Sequence, residues 1–136
     1  MTGTTITPYL FFGGRCDEAI AFYREALGAE VEMLMRVKDA PEPVPGMTPD
    51  KVMHACLKFG NTSVMASDCA GDELPRYQGF SLAFTAADDA DARRRFEALA
   101  DGGQVQMPLA KTFFASSFGV VADRFGVSWM IVTEKA

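Results

Sequence analysis

Histidine is almost missing from this chain: of 136 residues only His54 is one. A zinc site built on several imidazoles is therefore excluded, and any proton transfer near neutral pH has to begin at His54, the one side chain whose ordinary pKa lies there. Cysteine is scarce too. Cys16, Cys56 and Cys69 are an odd set without C-x-x-C spacing, which argues against a disulfide framework or a zinc clip and predicts free, mostly buried thiols. Positive charge is in deficit: 13 Lys+Arg against 18 Asp+Glu give a net charge of −5. That is the wrong sign for holding a phosphate backbone, so no nucleic-acid partner is expected. No apolar run approaches the roughly 18 residues of a spanning helix, and the first residues lack a basic start and an apolar core, so no membrane association and a cytoplasmic location are expected. What remains is ordinary for a folded domain, with 49% hydrophobic and 23% charged residues.

The pattern occurs twice. In the first half, the apolar stretch Pro8-Tyr9-Leu10-Phe11-Phe12 is followed by Gly13-Gly14 and then by Ala19, Ile20, Tyr23, Ala26 and Leu27 at helical spacing, stopped by Gly28. In the second, Phe80 to Thr85 precedes Asp88 and Asp89 as helix caps, then Ala92, Phe96 and Leu99, stopped by Gly102-Gly103. A short β-prone stretch and a hairpin follow each helix: Val52 to Phe59 and Thr62 to Asp68 around Gly60-Asn61, and Ser117 to Asp123 and Val127 to Thr133 around Phe125-Gly126. Each half reads β-α-β-β-β. The expected fold is α+β, a single domain over residues 1–136 with modules 1–70 and 78–136. One helix cannot cover both faces of a four-stranded sheet, so the two curved mixed sheets are expected to enclose a cup. The connectors Lys38 to Lys51 and Met107 to Ser116, the latter carrying Phe113-Phe114, are candidates for its rim.

This doubled arrangement, with Ala21-Phe22-Tyr23-Arg24-Glu25-Ala26-Leu27-Gly28 after the first strand, resembles the vicinal oxygen chelate superfamily of glyoxalases, extradiol dioxygenases and bleomycin-resistance proteins. Asp50-Lys51-Val52-Met53-His54-Ala55, Met65-Ala66-Ser67-Asp68, Gln106-Met107-Pro108-Leu109 and Asp123-Arg124-Phe125-Gly126-Val127-Ser128-Trp129-Met130 resemble its PhnB-like family, some members of which carry a demethylubiquinone methyltransferase label. The resemblance implies helices on the outer faces, a homodimer, and metal ligands at four points. Those points fall on Pro8, Met65, Ser81 and Met130. Thioethers are poor donors to a hard divalent cation, so no metal and no cofactor is expected there.

Strand alternation puts Ser81, Ala83 and Thr85 opposite Phe80, Leu82 and Phe84, and Ser128 and Met130 opposite Trp129, with the bulky face beneath a helix. A two-residue turn at Gly60-Asn61 pairs Cys56 with Met65 and His54 with Ser67, which gathers these four on the cup face. His54 is the candidate catalytic residue; general base, substrate anchor and plain hydrogen-bond partner of Ser67 all remain open. The expected ligand-binding residues are Leu10, Phe12, Met65, Ser67, Ser81, Phe113, Phe114 and Met130. Phe12-Gly13-Gly14-Arg15 has neither G-x-G-x-x-G spacing nor a P-loop lysine, and no serine stands in a nucleophile elbow. Three functions stay open: a metal-free module binding a small organic molecule, a glyoxalase- or dioxygenase-like metalloenzyme with an unusual ligand set including His54, and a dimeric scaffold without ligand.

Overall fold

The computed structural model describes residues 3–42, 44–69 and 73–135, so the expected module ends Met1, Ala70 and Ala136 lie outside the described residues. Two compact units, Met1–Pro75 and Arg76–Ala136, make up the chain. In the first, strand β1 (Tyr9–Phe11) leads into helix α1 (Cys16–Leu27), followed by β2 (Glu30–Arg36), β3 (Val52–Phe59) and β4 (Thr62–Ser67). The second repeats the order with β5 (Leu82–Thr85), α2 (Asp89–Ala100), β6 (Gln104–Ala110), β7 (Ala115–Ala122) and β8 (Ser128–Glu134). Each unit forms one open mixed sheet, ordered β1-β4-β3-β2 and β5-β8-β7-β6. The first strand of each unit runs parallel to the last, and the other pairs are antiparallel. The α+β class expected from the doubled pattern is the observed one.

Local chemistry explains the helix ends. Gly28 adopts the left-handed conformation at φ 70° and closes α1 by donating its N–H to Arg24 and Tyr23 carbonyls. Asp88 caps α2, its carboxylate accepting from the Asp91 N–H at 2.7 Å. The start of α1 is held from far along the chain: buried Asp68 accepts from the N–H groups of Gly14 at 2.9 Å, Cys16 at 2.8 Å and Val52 at 3.0 Å. Gly13, at φ 55°, cannot be replaced without a clash, because a Cβ there would lie 2.1 Å from the Glu73 carbonyl oxygen.

Apolar faces set the packing. In β7, Ala115 and Val121 are fully buried, and α2 lies so close that a Cβ on Gly119 would meet the Phe96 ring at 2.7 Å. Full burial of a large side chain such as Leu57, Leu99 or Ile131 contributes about 1.5–3 kcal/mol. The connector expected from Met107 to Ser116 is shorter than the sequence suggests, since β6 continues to Ala110 and β7 begins at Ala115. Pro108 lies within β6, an edge strand with broken register between Met107 and Ala110, where a missing N–H is tolerated. The connector from Lys38 to Lys51 is anchored by Val37 N–H to Lys51 O and Lys38 N–H to Pro49 O. No helix among the described residues is long and apolar enough to cross a membrane.

Candidate functional site

In each unit the helix covers one sheet face, and the other face holds most of the residues singled out in the sequence. The hairpin register in the first unit is the expected one, with Cys56 opposite Met65 and Phe59 opposite Thr62. His54, Cys56 and Met65 therefore share the helix-free face. β1 departs from expectation. It pairs Tyr9 with Met65, Leu10 with Ala66 and Phe11 with Ser67. Leu10 and Phe12 consequently point into the core at 3% and 0% exposure, Phe12 against the Tyr23 ring, and do not line the open face. Tyr9 and Phe11 take that place, and Pro8 gives way to Tyr9 beside Met65. An all-apolar strand carries no alternation signal, and a one-residue offset exchanges its faces.

His54 is half-buried, with Nδ1 3.0 Å from Tyr9 Oη. The phenol donates this bond when the imidazole proton resides on Nε2. The rings lie 5.5 Å apart, and Tyr9 in turn packs on Phe11 at 4.9 Å. Ser67, the partner expected for His54, is fully buried, and its hydroxyl accepts from the Cys69 N–H at 3.1 Å. Next to this pair, Glu32 sits in an irregularity of β2 and accepts from Ser63 Oγ at 3.3 Å and Cys56 Sγ at 3.6 Å. All three cysteines are free thiols, but only Cys16 is fully buried. Burial, reinforced by the Asp68 and Asp17 carboxylates, pushes its pKa far up and leaves it unreactive.

The second unit holds a shallow depression of about 550 Å³ lined by Tyr77, Phe80, Ser81, Gln106, Ser128 and Met130, among others. Parallel pairing of Ala83 with Met130 and Leu82 with Trp129 places Met130 on the helix-free face and Trp129 beneath it. Ser81 Oγ and Ser128 Oγ are 2.7 Å apart, and Ser128 Oγ donates to Gln106 Oε1 at 3.4 Å. Phe80 is not under a helix as alternation implied. It lies 49% exposed before the strand starts, following Gly79 at φ 86°, where the alternation does not yet hold. Phe113 and Phe114 do not reach this depression. Phe113 is 88% exposed, while Phe114 packs on Phe118, which pairs with Val132 two residues beyond Met130. Sequence reasoning missed Tyr9, Phe11, Tyr77 and Gln106. Only Gln106, a polar residue between Val105 and Met107, carried a signal that could have found it.

The divalent cation implied by the resemblance does not fit these residues. The residues at the implied ligand positions, Pro8 and Met65 in the first unit and Ser81 and Met130 in the second, include no carboxylate or imidazole, and in the first unit it is Tyr9 rather than Pro8 that pairs with Met65. Among the described residues no three His, Cys, Asp or Glu side chains are grouped as a metal would require. The Gly13-Gly14 loop is equally unsuited to an anionic cofactor, because the Gly14 and Cys16 N–H groups already donate to Asp68.

Two βαβββ units, each with a helix on one face of a mixed sheet, make an α+β fold shared with glyoxalase-related and fosfomycin-resistance proteins. The glyoxalase-related enzyme from Fulvimarina pelagi shares this fold at a TM-score of 0.66 and 17% identity, over 98% of this chain and 89% of that one. The chain belongs to the family described as 3-demethylubiquinone-9 3-methyltransferase, whose model matches residues 4–132. Protein YjdN of Escherichia coli is 38% identical over 96% of this chain and 95% of its own length. Among solved structures, PA1353 from Pseudomonas aeruginosa is 43% identical with a TM-score of 0.86, covering 98% of this chain and 100% of that one. A PhnB protein from Bacillus cereus is 28% identical with a TM-score of 0.80, over 96% and 99%.

Proposed function

We propose that the protein binds a small organic molecule at the depression of the second unit, without a divalent cation between ligand and protein. The observation that carries this reading is the chain Ser81, Ser128 and Gln106 beside Met130 and Phe80. Two hydroxyls and a carboxamide offer donors and acceptors to an amide, hydroxyl or carbonyl, and the thioether and aromatic ring receive the apolar remainder. The volume of about 550 Å³ falls within the range of small-molecule sites. Methyl transfer draws no support from the Gly13-Gly14 loop, which is filled by Asp68.

Trp129, the single tryptophan, lies between Ser128 and Met130 in sequence and serves as a built-in reporter. Titration with aromatic amides and glycopeptides, followed by Trp129 emission and thermal midpoint, is expected to saturate for at least one compound. Ser128→Ala should weaken that compound by about tenfold, the worth of one hydrogen bond. A flat response across the panel, or the same affinity in Ser128→Ala and Met130→Ala, refutes the assignment. Stoichiometric zinc, nickel, iron or manganese in protein purified without chelator refutes its metal-free part.

The Tyr9–His54 pair favours a second reading, in which His54 moves a proton on a bound substrate. Binding and turnover unchanged in His54→Ala would remove it. The protein is further proposed to act as a homodimer. Supporting this, the edge strands β2 and β6 expose Val31, Leu34, Val105 and Met107 at 37%, 40%, 44% and 49%. A monomeric mass by light scattering at micromolar concentration would refute it.

A further inference from the structure

A row of soft donors crosses the helix-free face of the first unit. Register pairs Met33 with Cys56 and Cys56 with Met65, so a thiol on β3 is flanked by a thioether on each neighbouring strand. Regularly paired residues on one sheet face, as Cys56 and Met65 are, have Cβ atoms about 4.5–5.5 Å apart; Met33 meets Cys56 just after a register shift in β2, and each Met side chain has three rotatable bonds with which to bring its sulfur to the central thiol. All three are accessible: Met33 is 41% exposed, and Cys56 and Met65 are half-buried.

From this row we infer that the protein carries a soft monovalent metal site, with Cys56 Sγ, Met33 Sδ and Met65 Sδ as trigonal ligands for copper(I). Thiolate and thioether sulfur select copper(I) over a hard dication. Charge agrees as well. One thiolate neutralises one copper(I), leaving an uncharged centre beside the Glu32 carboxylate. Binding exchanges the thiol proton for the metal: the S–H bond breaks, an S–Cu bond forms with no change of oxidation state, and the proton passes to Glu32, whose Oε1 lies 3.6 Å from Cys56 Sγ, and on to water.

The test is anaerobic titration of the full chain with copper(I) in competition with bicinchoninate, read by loss of the coloured complex. One equivalent per chain is expected to leave the chelator, and Cys56→Ala, Met33→Leu and Met65→Leu should each weaken retention by about tenfold or more. Silver(I), as a diamagnetic probe, should shift the Met33 and Met65 methyl resonances. Cys69 is the internal control, because its Sγ lies 4.0 Å from Met47 Sδ and forms a rival sulfur pair. Copper lost in Cys69→Ala but kept in Cys56→Ala would overturn the assignment, as would failure of the native chain to compete with the chelator. Far-UV circular dichroism checks that the variants fold, and the two Met→Leu changes, which conserve volume, keep the test decisive if Cys56→Ala does not. Ser128→Ala, in the other unit, should leave copper retention unchanged, which separates this site from the proposed organic-ligand site.

Discussion

Asp123 holds the strand that carries Ser128 and Met130, and its removal should be felt throughout the second unit. The side chain is 3% exposed. Oδ1 accepts from the Phe125 N–H at 2.9 Å and the Val127 N–H at 3.1 Å, while Oδ2 accepts from Trp129 Nε1 at 2.9 Å. In Asp123→Asn the amide oxygen can keep the two backbone donors, but the new NH₂ then confronts the indole N–H, donor against donor. Losing one charge-assisted bond and stranding a buried donor overlap in cost, and together come to about 3 kcal/mol. Asp123→Ala removes all three of these bonds from the buried site and should cost about 4–5 kcal/mol. Against a total stability of roughly 5–15 kcal/mol, the Asn change alone should lower the melting midpoint by about 10 °C. The assay is urea and thermal unfolding by circular dichroism in a cycle with Trp129→Phe. Asp123→Asn should cost about 2 kcal/mol less in the Phe background, where the opposed indole donor is gone. A cost below about 1 kcal/mol, or strict additivity in the cycle, would show that the carboxylate does not hold the indole.

Two further outcomes follow from the cited environments. Cys16, fully buried with its thiol pKa raised, should resist iodoacetamide in the native protein while half-buried Cys56 and Cys69 react; labelling of all three at one rate would contradict the described packing. Asp91 has its pKa lowered by the Ala87 N–H and then by Arg95 and Arg94, and Asp89 by the hydroxyls of Ser117 and Ser116. A depressed carboxylate pKa stabilises the fold above its unfolded value near 3.9, so stability should fall as pH drops below about 4 and through the folded-state values. Asp91→Asn should flatten that acid limb, and an unchanged limb would refute the assignment.

The doubled β-α-β-β-β order, the helix stops at Gly28 and the cap at Asp88 were legible because each rests on local chemistry: periodicity, a left-handed glycine, a capping carboxylate. The Gly60-Asn61 turn carried long-range information too, since turn length fixes register and register fixes which face His54, Cys56 and Met65 share. Elsewhere the local signal was empty. Every residue from Tyr9 to Phe12 is apolar, so nothing in the sequence distinguishes Leu10 and Phe12 inside from Tyr9 and Phe11 outside. Only parallel pairing with β4, more than fifty residues away, decided it. Tertiary structure likewise turned Asp68 into the anchor of a distant helix start, joined Ser81 to Ser128 and Gln106, and gave His54 a phenol rather than Ser67. The sequence by itself determined the elements and their order, because those depend on neighbours along the chain. Which side chains meet on the open faces depends on how strands from distant parts of the chain align, and that only the folded sheets decide.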